Sequence, residues 1–214
     1  MNASAAKSSE VTTGPERGAG HDLHGQIDDA AAEHEVAELL EHVRSSPMGM
    51  LARPVTEEPV HCLVEIPKGS RNKYTWDEEL GGIKLDRFLF TSVVYPTDYG
   101  FIPGTSSPKG TPLDAMVCVS APTFPGCMIP VRVIAVFRTS DEAGQDDKLL
   151  CVPFEDPNWS HMEQLDDLPN QLRDEIEHFF SIYKVPEGKV VEIQGWEPRE
   201  VAERLLAEAR VRPQ

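Results

Sequence analysis

The chain has 214 residues, enough for one well-buried domain with sequence to spare at an end. Its formal net charge of −16 repels nucleic acid and anionic membrane surfaces, so neither is expected as a partner. The same sign of charge concentrates divalent cations around the protein.

Residues 1 to about 27 carry almost no large apolar side chains, cannot offset the entropy of ordering, and are expected to be disordered. They contain no apolar stretch of the kind found in a secretory leader, which points to a cytoplasmic protein. A short amphipathic helix is predicted next, capped by Asp28 or Asp29, with Val36, Leu39, Leu40 and Val43 on one face. His21, His24, His34 and His42 read as a solvated, histidine-containing tail. Pro47, Gly49 and Pro54 break the chain, so residues 1–55 form an extension and 56–214 the main domain. The extension is expected to be dispensable for the fold.

From residue 60 the pattern changes to short strands separated by Pro and Gly: 61–66, 72–76, 83–90, 116–120, 129–137 and 148–154. A helix beginning near Leu168 places Leu172, Ile176, Phe179, Phe180 and Tyr183 on one face. A last strand at 189–193 and a charged helix after Trp196 complete the chain. Strands first and helices last predict an α+β, mainly β fold. Cys62, Cys118, Cys127 and Cys151 show neither a Cys-x-x-Cys pair nor zinc-ligand spacing, and read as reduced thiols in apolar surroundings.

One chemical theme recurs along the domain: carboxylates interleaved with Lys, Arg and Tyr. Glu65, Lys73, Arg87, Tyr95, Tyr99, Asp114, Asp141, Glu142, Asp146, Asp147, Lys148, Tyr183 and Lys184 all belong to it. Carboxylate oxygens hold hard cations, while Lys, Arg and Tyr hold phosphoryl oxygens. Together they are the parts of a metal-assisted phosphoryl-transfer site. No one of these segments is specific by itself.

The succession IPKGSRNKY, LDRF, VVYPTDYGFIP, PLDA, DEAGQDDKLLCVP and HFFSIYK resembles the family I soluble inorganic pyrophosphatases, from about Cys62 to Trp196. The resemblance implies a five-stranded OB-like closed barrel flanked by two helices, a hexamer, and magnesium-dependent hydrolysis of diphosphate to two phosphates. It further implies that Lys73, Arg87, Tyr183 and Lys184 grip the diphosphate, with Lys148 as a further phosphate ligand. Tyr95 and Tyr99 would line the cavity, with Tyr99 near the attacking water. Asp114, Asp141 and Asp146 would hold magnesium, Asp114 would also serve catalysis, and Glu65, Asp86 and Glu142 would support them.

The sequence departs from that family where metal and water are handled. The family's acidic D-G-D-P-x-D loop reads Lys109-Gly110-Thr111-Pro112-Leu113-Asp114, and its K-Y-E reads Lys73-Tyr74-Thr75. The three carboxylates of the loop carry −3, whereas Lys109, Thr111 and Asp114 sum to zero. Hydrolysis is therefore expected to be weakened, since losing a general base typically costs ~10²–10⁴ in rate. A non-catalytic paralogue that binds diphosphate or phosphate, or regulates an active pyrophosphatase by mixed assembly, is the alternative. Asp98, Asp147 or Glu142 would have to move into the vacated positions to restore the acid. Lys109 is expected to put its ammonium where the metal would lie, between Asp114 and Asp146.

Overall fold

The computed structural model describes residues 58–210, all within the second of two units into which the chain divides, residues 54–214. The predicted extension and its histidines lie outside the described residues. The strands are β1 (Val60–Ile66), β2 (Asn72–Asp77), β3 (Gly82–Phe88), β4 (Asp98–Ile102), β5 (Leu113–Val117), β6 (Met128–Asp141), β7 (Gly144–Gln145), β8 (Lys148–Pro153) and β9 (Glu192–Pro198). Two helices, α1 (Asn170–Ile182) and α2 (Arg199–Ala209), flank them.

Seven strands form one sheet in the order β1-β4-β5-β8-β6-β7, and β9 adds to β6. Because β6 also pairs with β1, the pairings run through five strands and return to their start. Strand β6 makes this circuit: its first residues meet β1 (Cys62 opposite Ile129), its middle meets β8, and its last half meets β9 (Phe137 opposite Trp196).

Successive residues of a strand point to opposite faces, and here both faces are covered. Met116, Cys118, Leu150 and Val152 pack with Ile176, Phe179 and Phe180 of α1. Their neighbours Ala115, Val117, Leu149 and Cys151 pack with Ala202 and Leu206 of α2. That double burial explains why LLCV reads as an unbroken apolar run, each large side chain contributing about 1.5–3 kcal/mol. All four cysteines are free thiols, with Cys62, Cys118 and Cys151 buried.

The strands differ from the sequence reading in several places. The segments at 72–76 and 83–90 are extended as predicted, but β2 and β3 form a separate two-stranded sheet. Their polar residues Lys73, Thr75, Lys84 and Asp86 leave no continuous apolar face to bury, and Leu85 and Phe88 are exposed. Strand β4 has no counterpart in the prediction, since Asp98 and Gly100 are poor strand formers. The strand predicted at 116–120 begins at Leu113, which brings Asp114 into the ladder opposite Lys148. The last strand runs over Glu192–Pro198 rather than 189–193, anchored by Trp196 against Phe137 with ring centroids 4.6 Å apart.

Candidate active site

Strands β1, β4 and β5, the end of β6, the hairpin β2–β3 and the end of α1 surround a cavity of about 710 Å³. Glu65, Lys73, Thr75, Arg87, Tyr99, Thr111, Asp114, Asp141, Asp146, Tyr183 and Lys184 line it, so residues far apart in sequence meet here.

On the hairpin wall, Lys73 and Arg87 are cross-strand partners. Asp86 sits between them, accepting from Lys73 Nζ at 3.0 Å and Arg87 Nη1 at 2.7 Å. Against the opposing effect of burial, these two cations lower the Asp86 pKa. Arg87 Nε donates to Glu187 at 2.9 Å, which fixes the guanidinium in place. Sequence reasoning missed Glu187, along with Lys189 and Tyr74, which also line the cavity or its rim. A Pro-containing turn after Lys184 delivers Glu187, and nothing in its local pattern marks it.

On the sheet wall stand three aspartates. Asp114, on β5, accepts from the Tyr99 hydroxyl at 2.5 Å. Burial raises the Asp114 pKa, more than the attraction of Lys148 and the Tyr99 bond lower it. Asp141, at the end of β6, accepts from Lys184 Nζ at 3.1 Å, Lys109 Nζ at 3.2 Å and the Ala143 amide at 3.0 Å. Burial works against them, yet those donors hold its pKa down at about 2. Asp146, just before β8, accepts from Lys148 Nζ at 2.7 Å and lies 3.7 Å from Lys109 Nζ. Here too the cations, Lys148 foremost, outweigh burial and lower the pKa. Among the described residues, Asp114 is the aspartate of the three without an ion pair.

Tyr183, at the end of α1, stacks on Phe179 and turns its phenol toward the cavity; burial raises its pKa, as it does that of Tyr99. Both therefore stay protonated and can donate. Glu65 of β1 accepts the Trp76 amide at 2.6 Å and so ties the hairpin to the sheet; burial raises its pKa.

Several expected site residues stand elsewhere. Lys148 is 1% exposed, lies beneath Asp146, and contacts Thr139 Oγ1 and the Asp146 carbonyl rather than open cavity. Its strand register opposite Asp114 puts it on the cavity face, where Asp146 covers its ammonium. Tyr95 is a core side chain packed between Tyr99 and Phe179. Glu142 is exposed on the turn before β7. Neither Asp98 nor Asp147 is available to replace a missing acid. Asp98 is fully buried and accepts from the Lys68 and Thr123 amides and the Thr123 hydroxyl. Asp147 is held by Arg138 and by Gln145 at 2.5 Å. Lys109 does reach a pair of carboxylates, but they are Asp141 and Asp146 rather than Asp114 and Asp146. The Tyr99 hydroxyl already satisfies Asp114.

Comparison with known proteins agrees with this geometry. Residues 62–213 match the family model described as inorganic pyrophosphatase. The inorganic pyrophosphatase of Methanosarcina mazei is 48% identical over 159 residues, covering 74% of this chain and 94% of that protein. That of Streptomyces coelicolor is 55% identical over 141 residues, covering 65% of this chain and 86% of the relative. The crystal structure of the inorganic pyrophosphatase from Thermus thermophilus superposes with a TM-score of 0.69 at 39% identity, covering 78% of this chain and 95% of that one. A family match over most of the described domain, with relatives covered nearly end to end, leaves one conclusion: the chain belongs to the inorganic pyrophosphatase family.

Proposed function

We propose that the cavity takes diphosphate, presented as its magnesium complex, and hydrolyses the phosphoanhydride to two phosphates. The observation that carries this reading is a set of cationic and phenolic donors gathered in one cavity with a carboxylate free of any ion pair. Lys73, Arg87, Tyr183 and Lys184 offer donors to phosphoryl oxygens, while Asp114, in the same cavity, keeps a carboxylate free of any ion pair. Water attacks one phosphorus, a new P–O bond forms and the bridging P–O bond breaks. Asp114 accepts the water proton through Oδ1, and the Tyr99 hydroxyl holds Oδ2 so that the carboxylate keeps its orientation. The departing phosphate carries the bond's electron pair, and Arg87 and Lys73 stabilise its charge.

Family I pyrophosphatases are generally metal-dependent. A resident divalent ion does not fit between Asp141 and Asp146 with the residues present. Magnesium needs near-octahedral oxygens at about 2.0–2.1 Å, and the point where these carboxylates converge is held by an ammonium group. Among the described residues no three His, Cys, Asp or Glu side chains converge to hold a metal ion. The five-strand circuit supports an OB-like barrel as the scaffold, and the family resemblance supports a cytoplasmic homo-oligomer, hexameric in its bacterial members.

The direct test is phosphate release from diphosphate by the purified protein in millimolar magnesium. Release in proportion to protein is expected; a folded protein that binds diphosphate without releasing phosphate would overturn the hydrolytic reading. Binding itself is tested by calorimetry. Arg87→Ala removes charge-assisted hydrogen bonds worth about 1.5–3 kcal/mol, so diphosphate should bind roughly 10–100-fold more weakly. Failure of the wild type to bind, with and without magnesium, would show that Arg87 serves only its ion pairs with Asp86 and Glu187.

A further inference from the structure

The sheet wall is already electrically complete. Lys109 Nζ lies 3.2 Å from Asp141 Oδ1 and 3.7 Å from Asp146 Oδ1, between the two carboxylates. Lys184 takes the other oxygen of Asp141 at 3.1 Å, and Lys148 the other oxygen of Asp146 at 2.7 Å. Two carboxylates therefore face three ammonium groups, a local sum of +1. A divalent ion placed there would raise the sum to +3 and would have to displace Lys109 from both carboxylates. Repulsion of that kind is strong at contact distance in a partly buried site. With Asp114 on the same wall the charges sum to zero, so the wall is balanced without a metal ion.

Lys109 is also held in position. Its side chain is 25% exposed. The loop that carries it is closed by Ser107 N–H to the Thr111 carbonyl at 2.6 Å and Gly110 N–H to the Ser107 carbonyl at 2.9 Å. Gly110 has φ 79°, a left-handed conformation that a side chain disfavours, so the turn depends on glycine there. The Lys109 amide donates to Ser107 Oγ at 3.3 Å, and that hydroxyl meets Thr111 Oγ1 at 3.2 Å. A lysine ammonium, a compact point charge on a long stem, can then reach across to both aspartates.

We propose that Lys109 is a built-in cation at this wall: the free protein holds no divalent ion between Asp141 and Asp146, and Lys109 with Lys184 presents positive charge to a phosphate group. This concerns the protein before substrate arrives and is separable from hydrolysis. The probe is Mn²⁺, titrated into the full chain without diphosphate and followed by the resonance of free Mn²⁺. Wild type should show no site that Asp146→Asn removes. Lys109→Asp combined with Thr111→Asp should gain one stoichiometric site, on the order of 100-fold tighter than any wild-type binding, and Asp146→Asn should abolish it. Circular dichroism checks that the double variant folds. If it does not, Lys109→Gln takes its place and should bind Mn²⁺ at least about tenfold more tightly than wild type.

A stoichiometric wild-type site lost on Asp146→Asn overturns the proposal, as does a folded Lys109 variant with no gain. Diphosphate hydrolysis measured in parallel keeps the two ideas apart. A tight wild-type site in a hydrolysing protein overturns only the built-in cation. An inactive protein without such a site overturns only the hydrolytic reading.

Discussion

Gly100→Ala should cost the domain about 3 kcal/mol or more, the largest effect expected from a single methyl group in this protein. A Cβ at position 100 would lie 1.9 Å from the Leu63 carbonyl oxygen, 2.8 Å from its carbon and 2.9 Å from Val64 Cα. All three are backbone atoms of β1, which pairs directly with β4 at Val64 and Gly100. Side chains can rotate out of a clash, but a backbone carbonyl inside a sheet cannot. The two strands must separate, and overpacking of a well-packed interior typically costs 1–3 kcal/mol, occasionally more. For a domain of this size each kcal/mol lowers Tm by roughly 2–4 °C, so a fall of about 6–12 °C is expected in a thermal melt. Tyr99, the next residue, would move with the strand, so activity should fall at temperatures where the variant remains folded. An unchanged melting curve would mean that β1 and β4 can part without penalty.

Lys148→Met should be nearly as damaging, for an electrostatic reason. The Lys148 side chain is 1% exposed, and its ammonium donates to Asp146 Oδ2 at 2.7 Å and to the Asp146 carbonyl at 2.8 Å. Breaking one side of a buried ion pair typically costs 3–5 kcal/mol, because the remaining charge stays desolvated without a partner. Asp146 is 21% exposed and keeps Lys109 at 3.7 Å, so the lower end, about 3 kcal/mol, is expected. Removing the stranded charge as well, in Lys148→Met with Asp146→Asn, should recover part of the loss in a denaturant titration. That partial recovery separates an ion pair from simple packing, which would make the two losses add.

How much of this was legible depends on where each requirement originates. Strands such as LLCV could be read because burial on both faces writes an apolar run into the sequence itself. Strand β4 could not be, since Asp98 and Gly100 are chosen by distant needs. Asp98 receives the Lys68 and Thr123 amides, and Gly100 gives room to the Leu63 carbonyl. In the site, residue types were visible in the family wording, but directions were not. Lys148 carries the charge a phosphate ligand would need, yet its ammonium is taken up by the Asp146 carboxylate and carbonyl that cover it. The substitution to Lys109 was plain in the sequence. Its choice of Asp141 over Asp114 depends on a tyrosine ten positions earlier, Tyr99, that had already claimed Asp114.

The separation of the β2–β3 hairpin from the main sheet gives the two walls of the cavity different lifetimes. Asp114 and Asp141 hang from strands paired on both sides, whose amides open only when most of the sheet opens. Lys73 and Arg87 hang from a ribbon with one partner strand each, an arrangement of marginal stability by itself. Its ties to the rest include the Trp76 amide to Glu65, Arg87 to Glu187, and Tyr74 packed against the core. Opening of the hairpin would therefore release Lys73 and Arg87 while Tyr183 and Lys184, at the end of α1, stay beside the carboxylates. Hydrogen exchange should accordingly be faster at the amides of β2 and β3 than at those of β5 and β8.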